Sequence, residues 1–423
     1  MNKWSSIWKA LVLACAALLP TGVRAAEPIV LQWQTANLVE KQFEPIWKQM
    51  VAEFEAANPG VRIEPVLVAR KDHWTRFVTA SQARRAPCLV EADTIPAAYN
   101  GYLMPIDRFW NAEPAAFRAA WSEDVLRGAR WEGKLYGVPV WGGVYGEIYN
   151  RQMVAAAGLD PAKPPLTWSD YLAWMRALTK PGQQWGTALT AGNTDTTTRL
   201  LLSWIWSNGG EAFNADMTEA TFAKDPKSLE AIHFLLDLVR QSLAAPGANT
   251  TNYLEQSTLF AQGKIASMRS AYWAIAKVAD DNPALKDGMF VAAPPATIPD
   301  PPVVFTEAVA SISASCAYPE AAWKFIVFEN EKRWAIQRAT IAKWLPLRHD
   351  LLDEPAIKGD ADMLTFLEMA QHARAYPLPS PVWADIAAGD IVTAFQKAIL
   401  DPARTDAIFR DLDAQVTRKL REG

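Results

Sequence analysis

Apolar positions near the start of this chain fall into a repeating order of elements. Leu31-Gln32-Trp33-Gln34 reads as an opening strand. Phe43, Ile46, Trp47, Met50, Val51 and Phe54 then recur at helical spacing, which predicts an amphipathic helix. Asn58-Pro59-Gly60 stops it with turn formers. Val61 to Val68 is rich in β-branched residues and reads as a second strand, followed by a polar helix from about Asp72 to Arg85 and a third strand around Cys88 to Ala92. Strand, helix, strand, helix, strand is the order of a parallel sheet with covering helices. The same grammar returns later. Thr167-Trp168-Ser169-Asp170 has the spacing of a capping box and opens a helix through Leu178. Leu229, Ile232, Leu236, Val239 and Leu243 mark another helix, and Pro319 begins one that carries Trp323, Ile326, Val327 and Asn330. Pro294-Pro295 and Pro299 to Pro302 form a stiff extended stretch, expected to belong to a crossing between lobes.

The first residues change the picture from fold to compartment. Lys3 and Lys9 flank the start of an apolar run, Ala10 to Leu19, and no acid precedes Glu27. After Pro20 comes Val23-Arg24-Ala25, so the segment has the three parts of a secretory signal. The run is shorter than the roughly 20 residues that span a bilayer. Cleavage near Ala25 and a soluble periplasmic product are expected, with lipoprotein processing at Cys15 as the less favoured route. Removing residues 1–25 takes away three cations and no acid, which moves the formal charge from −4 to −7. A mildly acidic surface is a poor partner for nucleic acid or anionic membrane. The length exceeds what one hydrophobic core supports, so two lobes are expected. After processing only Cys88 and Cys316 remain, and sequence alone does not say whether they pair. Trp is unusually abundant, 19 against 16 Phe and 10 Tyr, which hints at partly exposed aromatic walls beside a Trp-rich core.

A search for chemistry returns mostly negatives. There is no G-x-S-x-G elbow, H-E-x-x-H, Walker loop or G-x-G-x-x-G, and Gly142-Gly143-Val144-Tyr145-Gly146 has the wrong spacing for a dinucleotide loop. The four His are isolated, so neither a metal site nor a cofactor is expected. Carboxylate pairs of a glycoside hydrolase meet in space and not in sequence, so that class stays open as a rival.

Read in order, several fragments resemble the extracellular solute-binding proteins of carbohydrate ABC importers, the maltose-binding-like group. They are Phe54 with Asn58-Pro59-Gly60-Val61, Gly133-Lys134-Leu135-Tyr136-Gly137-Val138-Pro139, Tyr149-Asn150 with Gly158-Leu159, and Thr167-Trp168. Asn208-Gly209-Gly210, Phe260-Ala261-Gln262-Gly263-Lys264-Ile265-Ala266-Ser267-Met268, Pro319-Glu320-Ala321-Ala322-Trp323-Lys324-Phe325 and Leu345-Pro346-Leu347-Arg348 complete the set. Cys88 and Thr306-Glu307 depart from the pattern. The resemblance implies an α/β, two-lobed periplasmic-binding-protein fold of type II, each lobe a mostly parallel sheet flanked by helices, with a solute cleft between. The expected division is 27–137 plus 286–335 for lobe 1, and 138–285 plus 336–423 for lobe 2. It further implies a non-enzymatic monomer that closes on a sugar and docks on permease subunits. A polyol or glycerol phosphate as ligand, and a sensor role, stay open.

A sugar offers C–H patches for aromatic rings and hydroxyls for polar side chains. On that logic and the resemblance, Trp141 and Tyr145 follow the crossing, and Tyr272 and Trp273 follow the Phe260–Met268 motif. Glu307 faces the cleft if the likeness holds. Trp204 and Trp206 stand beside Asn208, of which a helix would turn only one to the cleft. Asp93 ends the third strand, where open α/β sheets place ligands. Glu40 sits near the first helix, and Trp344 and Arg348 bracket Leu345-Pro346.

Overall fold

The computed structural model describes residues 27–192, 194–376 and 380–422. The expected signal segment and Cys15 lie outside the described residues. The opening pattern folds as its periodicities require: β1 (Ile29–Gln34), α1 (Glu44–Ala57), β2 (Val61–Pro65), α2 (His73–Gln82) and β3 (Leu89–Glu91). β1 lies between β2 and β3 and is parallel to both. α1 buries Ile46, Trp47, Met50 and Phe54, and Gly60 takes the positive φ of +97° that lets the chain reverse into β2.

Two long strands organise the rest. β4 (Gly137–Asn150) and β7 (Val303–Ile312) run antiparallel, from Gly137 opposite Ser311 to Val144 opposite Phe305. The last residues of β7 pair with β3, which ties this end to the first lobe. The last residues of β4 pair with β5 (Ser267–Ala271) and β6 (Met289–Ala292), while the first residues of β7 pair with β8 (Ala373–Tyr376). β4 and β7 therefore traverse both lobes and are themselves the crossing. Their register breaks between Pro139 and Trp141. Pro139 has no amide proton to give the ladder, and a bulge here turns the strand at the point where the lobes meet.

In the second lobe, α3 (Trp168–Leu178) is capped by Thr167, whose hydroxyl accepts the Asp170 amide at 3.1 Å. α4 (Asp195–Ser207), α5 (Pro226–Arg240), α6 (Tyr253–Ala261) and α7 (Trp273–Asp281) complete its helical cover. Glu147 on β4 lies opposite Arg269 on β5, and the buried pair meets at 2.6 Å. In the first lobe, α8 (Pro319–Glu329) sets Phe325 against Trp33 and Phe54, each with ring centres 5.1 Å apart.

Strand pairing and packing redraw the expected lobe boundaries. Residues 286–302, expected in lobe 1, include β6, which pairs with Glu147–Asn150 of the second lobe. Thr297 is held by the Ser207 carbonyl at 2.9 Å, so the Pro-rich stretch covers the second lobe and β7 does the crossing. Conversely, α9 (Lys332–Thr340) stays with the first lobe, its Trp334 against Phe328, and His349 still donates to the Ala120 carbonyl at 3.0 Å. The chain rejoins the second lobe near Asp360, which bonds Tyr272.

Cys88 and Cys316 form a disulfide across a sequence separation of 228 residues, joining the start of β3 to the chain just beyond β7. Closing so long a loop removes much freedom from the unfolded chain, by about 5 kcal/mol in the chain-entropy account. The Cys88→Ala/Cys316→Ala double variant is expected to lose about that much stability in urea unfolding, and reduction of the parent should reproduce the loss. An unchanged urea midpoint in both cases would contradict this role.

Candidate functional site

The cleft opens at the carboxyl ends of β1 and β3, where a parallel sheet leaves amides and side chains free of the ladder. The chain leaving β1 makes a single turn, Ala36–Val39, capped by the Thr35 hydroxyl on the Asn37 amide at 3.1 Å. That turn delivers Ala36, Asn37 and Glu40 to the cleft. β3 delivers Glu91 and Asp93, and the turn after β2 delivers Arg70 with His73 and Trp74. Across the gap stand Thr194, Asp195 and Arg199 at the start of α4, with Tyr376 at the end of β8 and Trp383 beyond it. Between them lies the midpoint of the crossing strands, Trp141 on β4 and Thr306-Glu307-Ala308 on β7.

These residues enclose a chamber of about 1030 Å³ counted out to its mouth. A smaller chamber of about 450 Å³ shares Arg70, Trp141, Asp195 and Arg199 with it, and adds Glu40, Tyr145, Tyr253, Trp273 and Trp344. The aromatic wall is built in contact: Trp141 meets Trp344 at 4.7 Å and Trp273 at 5.5 Å between ring centres, and Tyr145 meets Trp273 at 5.9 Å. Gly143 makes room for this wall, since a Cβ there would stand 2.3 Å from the Trp273 ring. Likewise a Cβ on Gly128 would collide with the Glu307 carboxylate at 1.8 Å.

A polar network backs the wall. Arg70 donates to Glu40 and to Asn37, and Asn37 donates in turn to Glu91 at 2.9 Å. The Tyr253 hydroxyl reaches over from the second lobe to Glu40 at 3.1 Å, so one hydrogen bond spans the cleft. Arg199 pairs with Asp195, its guanidinium 4.8 Å from the Tyr376 ring centre. Burial drives several groups toward their neutral forms. The Glu307 carboxyl is pushed up to about 8 by burial, and Asp93 to about 6 by burial with the Asp195 charge adding to it. His73 is lowered to about 4 by burial and by Arg70 nearby.

Several polar atoms on this lining are buried with no hydrogen-bond partner among the described residues: Glu307 Oε2, His73 Nε2, Tyr376 Oη, Thr194 Oγ1 and Arg199 Nε. Leaving such atoms unpaired costs about 1–3 kcal/mol each, and those that line the cavity are placed to meet polar groups of a ligand. Among the described residues no cluster of three or more His, Cys, Asp or Glu is arranged to hold a metal, and no helix is long and apolar enough to cross a membrane.

Of the residues singled out in the sequence, Glu40, Asp93, Trp141, Tyr145, Trp273, Glu307 and Trp344 line one chamber or the other. Four do not. Tyr272 is 1% exposed and bonds Asp360 on the far side of β5. Trp204 packs in the second-lobe core against Trp168 and Tyr171, with the Arg269 guanidinium 3.5 Å from its ring centre. Trp206 is buried beneath Arg374, 4.4 Å away. Arg348 donates to the Asn330 carbonyl at 2.6 Å and pairs with Asp350, which makes it a clasp of the first lobe. Arg70, His73, Trp74, Glu91, Asp195, Arg199, Tyr253, Tyr376 and Trp383 were missed. Arg70 was findable by the same rule as Asp93, because it leaves the carboxyl end of a parallel strand. Asp195 and Arg199 carry a weaker sign: charges four apart on the first turn of a helix otherwise apolar.

Fold and cleft together define a two-lobed solute-binding protein. The chain belongs to the bacterial extracellular solute-binding protein family, whose profile matches residues 40–332. A protein of Brucella abortus (strain 2308), named as a candidate binding protein, is 26% identical over 428 residues, covering 98% of this chain and 99% of that one. The maltotriose-binding protein of Pyrococcus abyssi is 23% identical over 92% of this chain and 82% of its own length. Among solved structures, an ABC transporter solute-binding protein of Thermotoga lettingae bound with α-D-tagatose superposes with a TM-score of 0.84 at 23% identity, covering 93% of this chain and 99% of that chain. Maltose-bound MalE3 of T. maritima gives 0.83 at 18% identity, over 93% and 100%. Those likenesses establish the two-lobed periplasmic-binding-protein fold.

The Glu307 carboxyl has a testable consequence for the free protein. Its folded pKa lies above the unfolded value, so the folded state holds the extra proton between about pH 4.5 and 8 and stability falls as pH rises through that window. Glu307→Gln removes the penalty. The variant is expected to match the parent at pH 5 and to exceed it at pH 8 by on the order of 2 kcal/mol, read from thermal melts. Equal melting at both pH values would show that Glu307 is not held in a desolvating site.

Proposed function

We propose that this chain is the substrate-binding component of an ABC importer, which holds a carbohydrate-like solute between its lobes and presents it to membrane permease subunits. The observation that carries the reading is the set of orphaned polar atoms opposite the aromatic wall of Trp141, Trp273 and Trp344. A sugar matches it: its C–H face covers a ring while its hydroxyls give and accept the missing hydrogen bonds. Membership in an extracellular solute-binding family agrees with this, as do the tagatose, maltose and maltotriose that the similar proteins' names specify. The N-terminal pattern, Lys3 to Ala25, agrees with export to the periplasm and cleavage there.

Closure of the two lobes is the working step. Tyr253 on Glu40, and the exposed pair Lys41–Asp280 at 3.7 Å, join opposite sides of the cleft, so the closed form is the one in which solute is sealed from water. A permease that docks only on that form couples delivery to occupancy through a single equilibrium. The protein acts as a monomer, makes no covalent step and needs no cofactor.

A thermal-shift screen of the processed protein against mono-, di- and oligosaccharides, polyols and glycerol phosphates tests the reading. A ligand at 100 times its Kd should stabilise the fold by about 2.7 kcal/mol. Trp141→Ala is expected to weaken the selected solute at least tenfold, and a screen with no shift for any compound would refute the assignment. Separately, Tyr253→Phe deletes the hydrogen bond that spans the cleft. Affinity should drop roughly fivefold, mainly through faster release, for a bond worth about 1 kcal/mol. An unaltered release rate in stopped-flow Trp fluorescence would remove Tyr253 from the closure step.

A further inference from the structure

The charges around the larger chamber do not balance. Its described lining carries the carboxyls Glu91, Asp93, Asp195 and Glu307, with the guanidiniums of Arg70 and Arg199 as cations. Both guanidiniums are already engaged. Arg199 is paired with Asp195, and Arg70 with Glu40 of the adjoining chamber. His73 is no counter-charge, because burial and the neighbouring Arg70 hold it neutral. Glu91 is quenched by donors of its own, the Thr35 hydroxyl at 2.7 Å and the Asn37 amide at 2.9 Å. Asp93 and Glu307 remain, and neither forms an ion pair with any described residue. Glu307 Oε2 is buried with no donor among the described residues.

A carboxyl in that position is costly as an anion, so Glu307 holds its proton in the free protein, and a cation brought by the ligand would favour its ionised form. Aromatic faces surround the same space. Trp74, Trp141, Trp383 and Tyr376 line the chamber with the two carboxyls, and rings beside acids are the surroundings an ammonium group prefers. Tyr376 itself is 3% exposed with an unpartnered hydroxyl, and it sits opposite Thr306 in the β7–β8 ladder, next to Glu307 in the strand. An acidic or phosphorylated solute meets the opposite situation, since the two cations that could receive it are already spent on Glu40 and Asp195. Arg269 offers no alternative, being buried on Glu147 in the second-lobe core.

We propose that the larger chamber receives the protonated amino group of its solute, an amino sugar or a comparable hydroxylated amine, with Glu307 and Asp93 as the residues that select it and that turn acidic sugars away. This deepens the sugar-binding reading and rests on it. A neutral sugar satisfies the aromatic wall and several of the orphaned atoms. Only the amine also supplies the charge that Glu307 and Asp93 lack, together with three donors for their oxygens.

Calorimetric titration of the processed protein at pH 7 decides the matter. The probes are glucose, galactose and mannose, their 2-amino-2-deoxy forms, the N-acetylated forms and the 6-phosphates, with the corresponding disaccharides of the neutral and amino series. The expected result is at least tenfold tighter binding of an amino sugar than of its neutral and N-acetylated counterparts, and no binding of the phosphates. Glu307→Gln should bring the amino sugar down to the affinity of the neutral one, so that the tenfold preference is lost. Asp93→Asn should act in the same direction and serves as the second variant should Glu307→Gln fail to fold. A neutral sugar that binds as tightly as its amino form, a phosphate that binds tightest, or a preference that survives both substitutions would overturn the proposal and leave the sugar-binding reading standing. Absence of binding across the whole panel would overturn both.

Discussion

The structure depends on the pairing of two long antiparallel strands. β4 and β7 are hydrogen-bonded to each other across the middle of the molecule while their opposite ends belong to different sheets. Residues at their midpoint are thereby held by a ladder, and those that point to the gap between lobes line the cleft. Trp141, Thr306 and Glu307 owe their positions to this arrangement, and β8, added beside Thr306, brings Tyr376 to the same place. The break in register at Pro139 is the mechanical counterpart. A strand pair with one missing amide bond and one extra residue bends more readily there than along an intact ladder.

The cleft and the cores of the lobes both hold buried polar atoms without partners among the described residues, and those on the cleft lining can be met by a solute. In the second-lobe core, Arg269 is paired with Glu147 and stacked on Trp204, although Glu147 Oε2 and Arg269 Nη2 keep no partner among the described residues. At the first-lobe edge, Arg348 is matched by Asp350 and the Asn330 carbonyl. On the cleft lining the same residue types are left incomplete: Glu307, His73 and Tyr376 each keep a buried polar atom without a partner. Orphaned groups destabilise the ligand-free protein, and natural interiors seldom tolerate them without a use. What distinguishes those on the cleft lining is that a solute can reach them, beside the aromatic wall of Trp141, Trp273 and Trp344.

Much of the fold was legible along the chain. The strand and helix order of the first lobe followed from apolar spacing, the α3 cap from Thr167 and Asp170, and the cleft position of Asp93 from its place after a parallel strand. The errors have physical causes. One of Trp204 and Trp206 was expected at the cleft because they stand near a polar turn, but a helix buried nearly all round turns both into packing. Tyr272 neighbours Trp273 in sequence, yet the junction of β5 and α7 sends the two rings to opposite sides, one to Asp360 and one to the cleft. The lobe boundary was misplaced because proline content signals a stiff segment and says nothing about which sheet it covers.

Local sequence by itself determined the elements, the two-lobed class and the solute-binding character, since these follow from periodicity, caps and short motifs read in order. Only the tertiary structure decided which charges are spent and which are free. Arg70 finds Glu40 across 30 positions, Tyr253 reaches Glu40 across 213, and Cys88 meets Cys316 across 228. Pairings at such separations depend on how strands are ordered in a sheet, and no local pattern encodes them. The balance of charge left facing the solute is therefore a property of the folded cleft.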